Sequence, residues 1–139
     1  MRRRALALAL VILAADFLGY ALRPDAFIVQ FERAQVAQAR LDICSLQRAV
    51  RMFTTDADRL PTNEESLGLL VDSNTQRRPY LSGTPIDPWG QPYRYTVPGR
   101  AGEFEIYTLG ADGREGGQGV DRDFGWLLDQ ASCADLARA

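Results

Sequence analysis

A chain of 139 residues, 46% hydrophobic and 24% charged, is long enough for one small domain and an anchoring segment. Its formal charge is −2, and setting aside Arg2, Arg3, Arg4, Arg23 and Asp16 leaves 12 arginines against 17 acids, so no basic face speaks for nucleic acid. The absence of histidine excludes Ser–His and Cys–His nucleophile pairs and His-ligated metals, and two isolated cysteines give no zinc spacing.

Met1-Arg2-Arg3-Arg4 precedes an apolar run from Ala5 to Leu22, close to the shortest length that spans a bilayer. With arginines held on the cytoplasmic side, such a run would anchor an exported domain. A cleavable secretory signal competes with the anchor, because Gly19-Tyr20-Ala21 offers small residues at the right spacing. The helical pattern continues past Leu22, which favours the anchor. Asp16 sits inside the run, either as a tolerated polar residue or as a contact to another subunit.

From Phe27 the pattern becomes amphipathic. Val36, Ala39, Ile43, Leu46, Val50 and Phe53 recur at three and four residues, one face of a helix reaching to about residue 55. Thr54-Thr55-Asp56-Ala57-Asp58-Arg59 ends the periodicity and Pro61 blocks its continuation. Thr62 with Glu65 forms a capping box that predicts a short helix carrying Leu67, Leu70 and Val71. Residues 72–92 carry four prolines and predict irregular chain, with Trp89 as its core anchor.

Tyr93, Tyr95 and Val97 alternate, as do Phe104, Ile106 and Thr108, with a Pro98–Gly102 turn between; together they predict an antiparallel hairpin. Trp126 to Leu136 reads as a last short helix. Cys44 and Cys133 would form one disulfide in an exported chain, closing a loop of roughly 90 residues, or else remain two buried thiols.

The hairpin leads into the glycine-rich stretch from Gly110 to Trp126, whose far end Phe124-Gly125-Trp126 is expected to pack down. Asp112, Asp121 and Asp123 stand among its glycines, and a hard cation such as Ca²⁺ takes carboxylates, backbone carbonyls and water together. The competing reading is a solvated polar turn. An EF-hand fails, since Arg114 and Gly116 occupy positions where oxygen ligands should stand. Gly116-Gly117-Gln118-Gly119-Val120-Asp121 matches the start of a calcium-binding β-roll repeat, but a roll needs stacked copies and one is present. The same glycines lack the Lys-Ser/Thr of a phosphate-binding loop. Asp121 and Asp123, two apart on a loop needing charge compensation, fit a cation better than glycoside hydrolysis, so no enzyme is expected.

Pro61-Thr62, Asp87-Pro88-Trp89-Gly90-Gln91-Pro92-Tyr93, Leu109-Gly110-Ala111-Asp112-Gly113 and the closing Asp123-Phe124-Gly125-Trp126 occur in a distinctive order. Over about residues 24–126 this resembles the major pseudopilin family of type II secretion systems. The resemblance implies an α+β, pilin-like fold: a long N-terminal helix packed on a small antiparallel sheet with a calcium-binding loop. It implies residues 1–24 as cytoplasmic arginines and anchor, and 25–139 as a periplasmic domain, in a single-pass protein of the bacterial inner membrane. Ca²⁺ would be held by the Asp112, Asp121 and Asp123 side chains, with the carbonyls of Leu109 and Val120 added by the resemblance. Partners would be other pseudopilins, inner-membrane secretion components and copies of this chain.

One departure stands out. Pseudopilins carry a leader ending in Gly, then Phe, with Glu at the fifth mature position, and aligning Pro24 with the family's helix proline puts Arg2, Arg3 and Ala7 there. The expectation is an unprocessed N-terminus and an atypical subunit or membrane monomer. The alternative from another class is an anchored or secreted, calcium-stabilised binding module that does not polymerise.

Overall fold

In the computed structural model, which describes residues 24–71, 79–100, 102–125 and Cys133, the amphipathic pattern folds as helix α1, Pro24–Ala57. The expected anchor, Asp16, the departures at Arg2, Arg3 and Ala7, and the last short helix lie outside the described residues. Among the described residues no helix is long and apolar enough to cross a membrane.

The chain divides into two units, residues 1–33 and 34–139. The described part of the first is the opening of α1, where Phe27, Ile28, Val29 and Phe31 are exposed. The second holds the rest of α1 and every later element. There the stripe faces inward: Ala39, Ile43, Leu46, Val50 and Phe53 are buried and Val36 packs partly against them. The helix stops for local reasons. Thr54 and Thr55 turn their hydroxyls back onto the carbonyls of Val50 and Arg51, each at 2.9 Å. Asp58 then takes a left-handed φ of 54° while its N–H bonds the Thr54 carbonyl at 2.9 Å, a single-bond C-terminal cap.

The predicted capping box forms. Glu65 N–H donates to Thr62 Oγ1 at 3.2 Å and Thr62 N–H to Glu65 Oε2 at 2.9 Å. The chain continues as a 3₁₀ helix, Ser66–Leu70, with Val71 as its cap rather than a member. Ser66 at φ 49° departs from α geometry directly after the box, leaving a tight turn that buries Leu67 and Leu70.

Strands β1 (Arg94–Thr96) and β2 (Glu105–Tyr107) pair antiparallel with Tyr95 opposite Ile106. They are shorter than the alternation from Tyr93 to Val97 because the flanking backbone bonds elsewhere. Tyr93 N–H donates to the Pro85 carbonyl at 3.2 Å, and Asn63 takes both backbone groups of Val97 at 2.8 and 2.7 Å. Tyr95 and Tyr93 bury their rings and spend their hydroxyls on the Pro61 carbonyl, 2.9 Å, and on Asp42, 3.0 Å. The core is one cluster in which the α1 stripe, Leu67, Leu70, Tyr93, Tyr95, Ile106 and Phe124 pack together. The Cys44 and Cys133 sulfurs lie 2.01 Å apart, at bonding distance, with Cα atoms separated by 5.4 Å.

Candidate metal centre

The residues after β2 form a loop with a fixed root. Thr108 and Phe124 exchange both backbone hydrogen bonds, each at 3.0 Å, so residues 109–123 leave and return at one point of the core. Phe124 is buried there and stacks on Trp89, ring centres 5.8 Å apart and planes 11° from parallel. Trp89 is thus the anchor the sequence predicts. The Trp126 half of the expected packing lies outside the described residues.

The root is tied to a second turn. Asp87, 4% exposed, accepts the N–H groups of Trp89 at 3.0 Å and Gln91 at 2.8 Å on Oδ1. Its other oxygen accepts the Thr108 hydroxyl, and Thr108 Oγ1 accepts Gly110 N–H at 3.2 Å. Neither Asp87 nor Thr108 was a predicted site residue. Asp87 could have been found, since Asp-Pro-x-Gly places a side-chain acceptor at the first position of a turn. Thr108, 21 residues on, carries no such local mark.

Inside the loop the chain folds onto itself. Ala111 N–H donates to the Val120 carbonyl at 2.9 Å, and Asp123 N–H to the Gly116 carbonyl at 3.2 Å. Gly110, at φ 72°, lies so close to the returning chain that a Cβ would stand 2.5 Å from the Val120 oxygen. Gly117, at φ 78°, packs equally tightly on the Asp121 backbone. No other residue fits these two positions without displacing backbone.

The five expected ligands are all on this loop, in different states. Asp112 is exposed and accepts Arg114 N–H at 3.0 Å, an Asx turn. Asp121 closes the 3₁₀ turn Gly119–Asp121 and is half-buried. Leu109 is buried, while Val120 is half-buried, its carbonyl engaged by Ala111 with one lone pair left. Asp123 accepts Gly116 N–H on Oδ2 at 3.1 Å, and its Oδ1 is buried without a hydrogen-bond partner. An acceptor-only carboxylate oxygen in that position fits a cation, since burial without a positive or donor partner is costly. Among the described residues no three carboxylate, thiolate or imidazole groups lie together as a ready-made cluster. The loop therefore brings the donors onto one short segment without drawing the three carboxylates into a single cage.

Residues 26–126 match the family model described as type II secretion system (T2SS), protein G. The chain belongs to the type II secretion system protein G family. A core protein G from Pseudomonas aeruginosa is 38% identical over 102 residues, covering 68% of this chain and 72% of the relative. One from Vibrio cholerae is 39% identical over 101 residues, covering 68% and 69%. The crystal structure of the major pseudopilin from the type 2 secretion system of enterohaemorrhagic Escherichia coli superposes with a TM-score of 0.60 at 28% identity, covering 77% of this chain and 98% of that one. Membership makes the chain a pseudopilin, a structural subunit of this envelope-associated secretion machinery. Cys133 lies beyond the stretch that the family model matches.

Proposed function

We propose that this pseudopilin is held in the inner membrane by residues 1–24, exposes its C-terminal domain to the periplasm, and enters a filament with related pseudopilins and copies of itself, its loop 109–123 closed by Ca²⁺. The observation that carries the ion is the buried, unpartnered Asp123 Oδ1 in a loop that also carries Asp112 and Asp121. Asp112, Asp121 and Asp123 would supply charge, and the Leu109 and Val120 carbonyls neutral oxygens. When bound, the ion would offset the repulsion among three acids and cross-link the two limbs of the loop. Exposed Phe27, Ile28, Val29 and Phe31 support packing against neighbouring helices, since such a run is seldom left in water.

The test is secretion. In a bacterium lacking its own copy of this gene, the parent chain is predicted to restore export of proteins to the medium, and Asp123→Ala to restore it poorly. Failure of the parent to restore export contradicts the subunit role. Full restoration by Asp123→Ala at equal abundance contradicts the part assigned to the ion.

A further inference from the structure

We infer that Thr108 and Asp87 are positioning residues for the ion, aiming the Leu109 carbonyl from outside the ligand set. The inference rests on the Ca²⁺ reading. Its starting point is the peptide unit between Leu109 and Gly110, whose N–H donates to Thr108 Oγ1 at 3.2 Å. In a trans peptide the carbonyl and the N–H point to opposite sides of the chain, so fixing one fixes the other. The Thr108 hydroxyl therefore sets where the Leu109 oxygen faces.

A hydroxyl can do this only if its own rotor is held. Free to turn, it could present its proton instead of its lone pair to the peptide. Asp87 removes that freedom by accepting the proton on Oδ2. Asp87 is fixed in turn by two backbone donors, Trp89 and Gln91, and Thr108 by its pair of backbone hydrogen bonds with Phe124. Thr108 and Asp87 are 1% and 4% exposed, so water does not compete for these bonds.

The same peptide lies against the other neutral donor. A Cβ on Gly110 would meet the Val120 oxygen at 2.5 Å and the Arg122 oxygen at 2.8 Å, and Ala111 N–H holds the Val120 carbonyl. Both backbone oxygens assigned to the ion are thus set from one point at the loop root. A turn-former with no bearing on the ion would need Asp87 Oδ1 alone; the Oδ2–Thr108–Gly110 chain serves the loop.

Calorimetric titration of the metal-free full chain in detergent with CaCl₂ tests this, alongside hydrogen exchange at Gly110. Thr108→Val keeps shape and every ligand but loses the hydroxyl. It is predicted to weaken Ca²⁺ binding about tenfold and to speed Gly110 exchange, with Thr108→Ser within about twofold of the parent, as outer-shell partners of metal ligands behave. Asp87→Asn, which keeps the acceptor for the turn but sets a donor against Thr108, is predicted to weaken binding in the same direction. Parent-like affinity in Thr108→Val, or Thr108→Ser as weak as Thr108→Val, overturns the positioning role. A parent chain that takes up no Ca²⁺ overturns the ion reading itself and the inference with it.

Discussion

Arg59 and Glu65 meet through both guanidinium arms, at 2.7 and 2.8 Å, while Thr62 N–H donates to the same carboxylate. The arginine first, and then the backbone bond, hold the Glu65 carboxyl down at about 2, against an ordinary value of 4.5. A carboxyl whose folded value is depressed stabilises the fold above its unfolded value and loses that contribution as pH falls through the folded one. Unfolding followed from about pH 5 to about pH 2 is therefore predicted to show a loss of stability that Glu65→Gln flattens. Both groups are solvent-exposed, so the effect is small and fades with salt. An unchanged acid limb in Glu65→Gln would remove this role. The Thr62–Glu65 box was legible in the sequence because its partners are three residues apart. Arg59 was not, because its reach to Glu65 depends on the path of the chain after the left-handed Asp58. Thr108 escaped for the same reason at longer range: it is unremarkable alone, and only the fold makes it a neighbour of Asp87.

At the scale of elements, helix α1 was the most legible part, since periodicity reports burial directly. Ile43 is wholly buried at the centre of the stripe, and Ile43→Ala is predicted to cost about 2–5 kcal/mol in chemical denaturation of the full chain. Exposed Arg40→Ala is predicted to stay within about 0.5 kcal/mol. Equal effects at the two positions would contradict the assigned face. The hairpin was legible in existence and antiparallel sense but not in length. Alternation reports which side chains are buried, and Tyr93 and Tyr95 both are, yet it cannot report that Asn63 captures the backbone of Val97. The short helix after Glu65 became a 3₁₀ turn because a capping box specifies a start, not the geometry beyond it.

At the scale of the whole molecule, the Cys44–Cys133 link joins α1 to the part of the chain beyond residue 126, where the family match ends. Intact mass of the exported protein is predicted to be lower by two hydrogens before reduction than after it. Reduction should lower stability by at most about 4–5 kcal/mol, the chain-entropy value for a closed loop of this length. Two freely alkylated thiols in native material would contradict the bond. The loop 109–123 was legible as a set of oxygen donors because composition names them. Their mutual arrangement was not legible, since it depends on the Thr108–Phe124 root and, in the reading proposed above, on an ion that no residue spells out. That ion is the claim on which the account turns, and thermal melting of the full chain in detergent, with Ca²⁺ or with chelator, tests it most directly. At about 100 times its Kd the ion is predicted to add about 2.7 kcal/mol, separating the two curves, and Asp112→Ala to bring them together. Curves that overlap at millimolar Ca²⁺ would contradict the account.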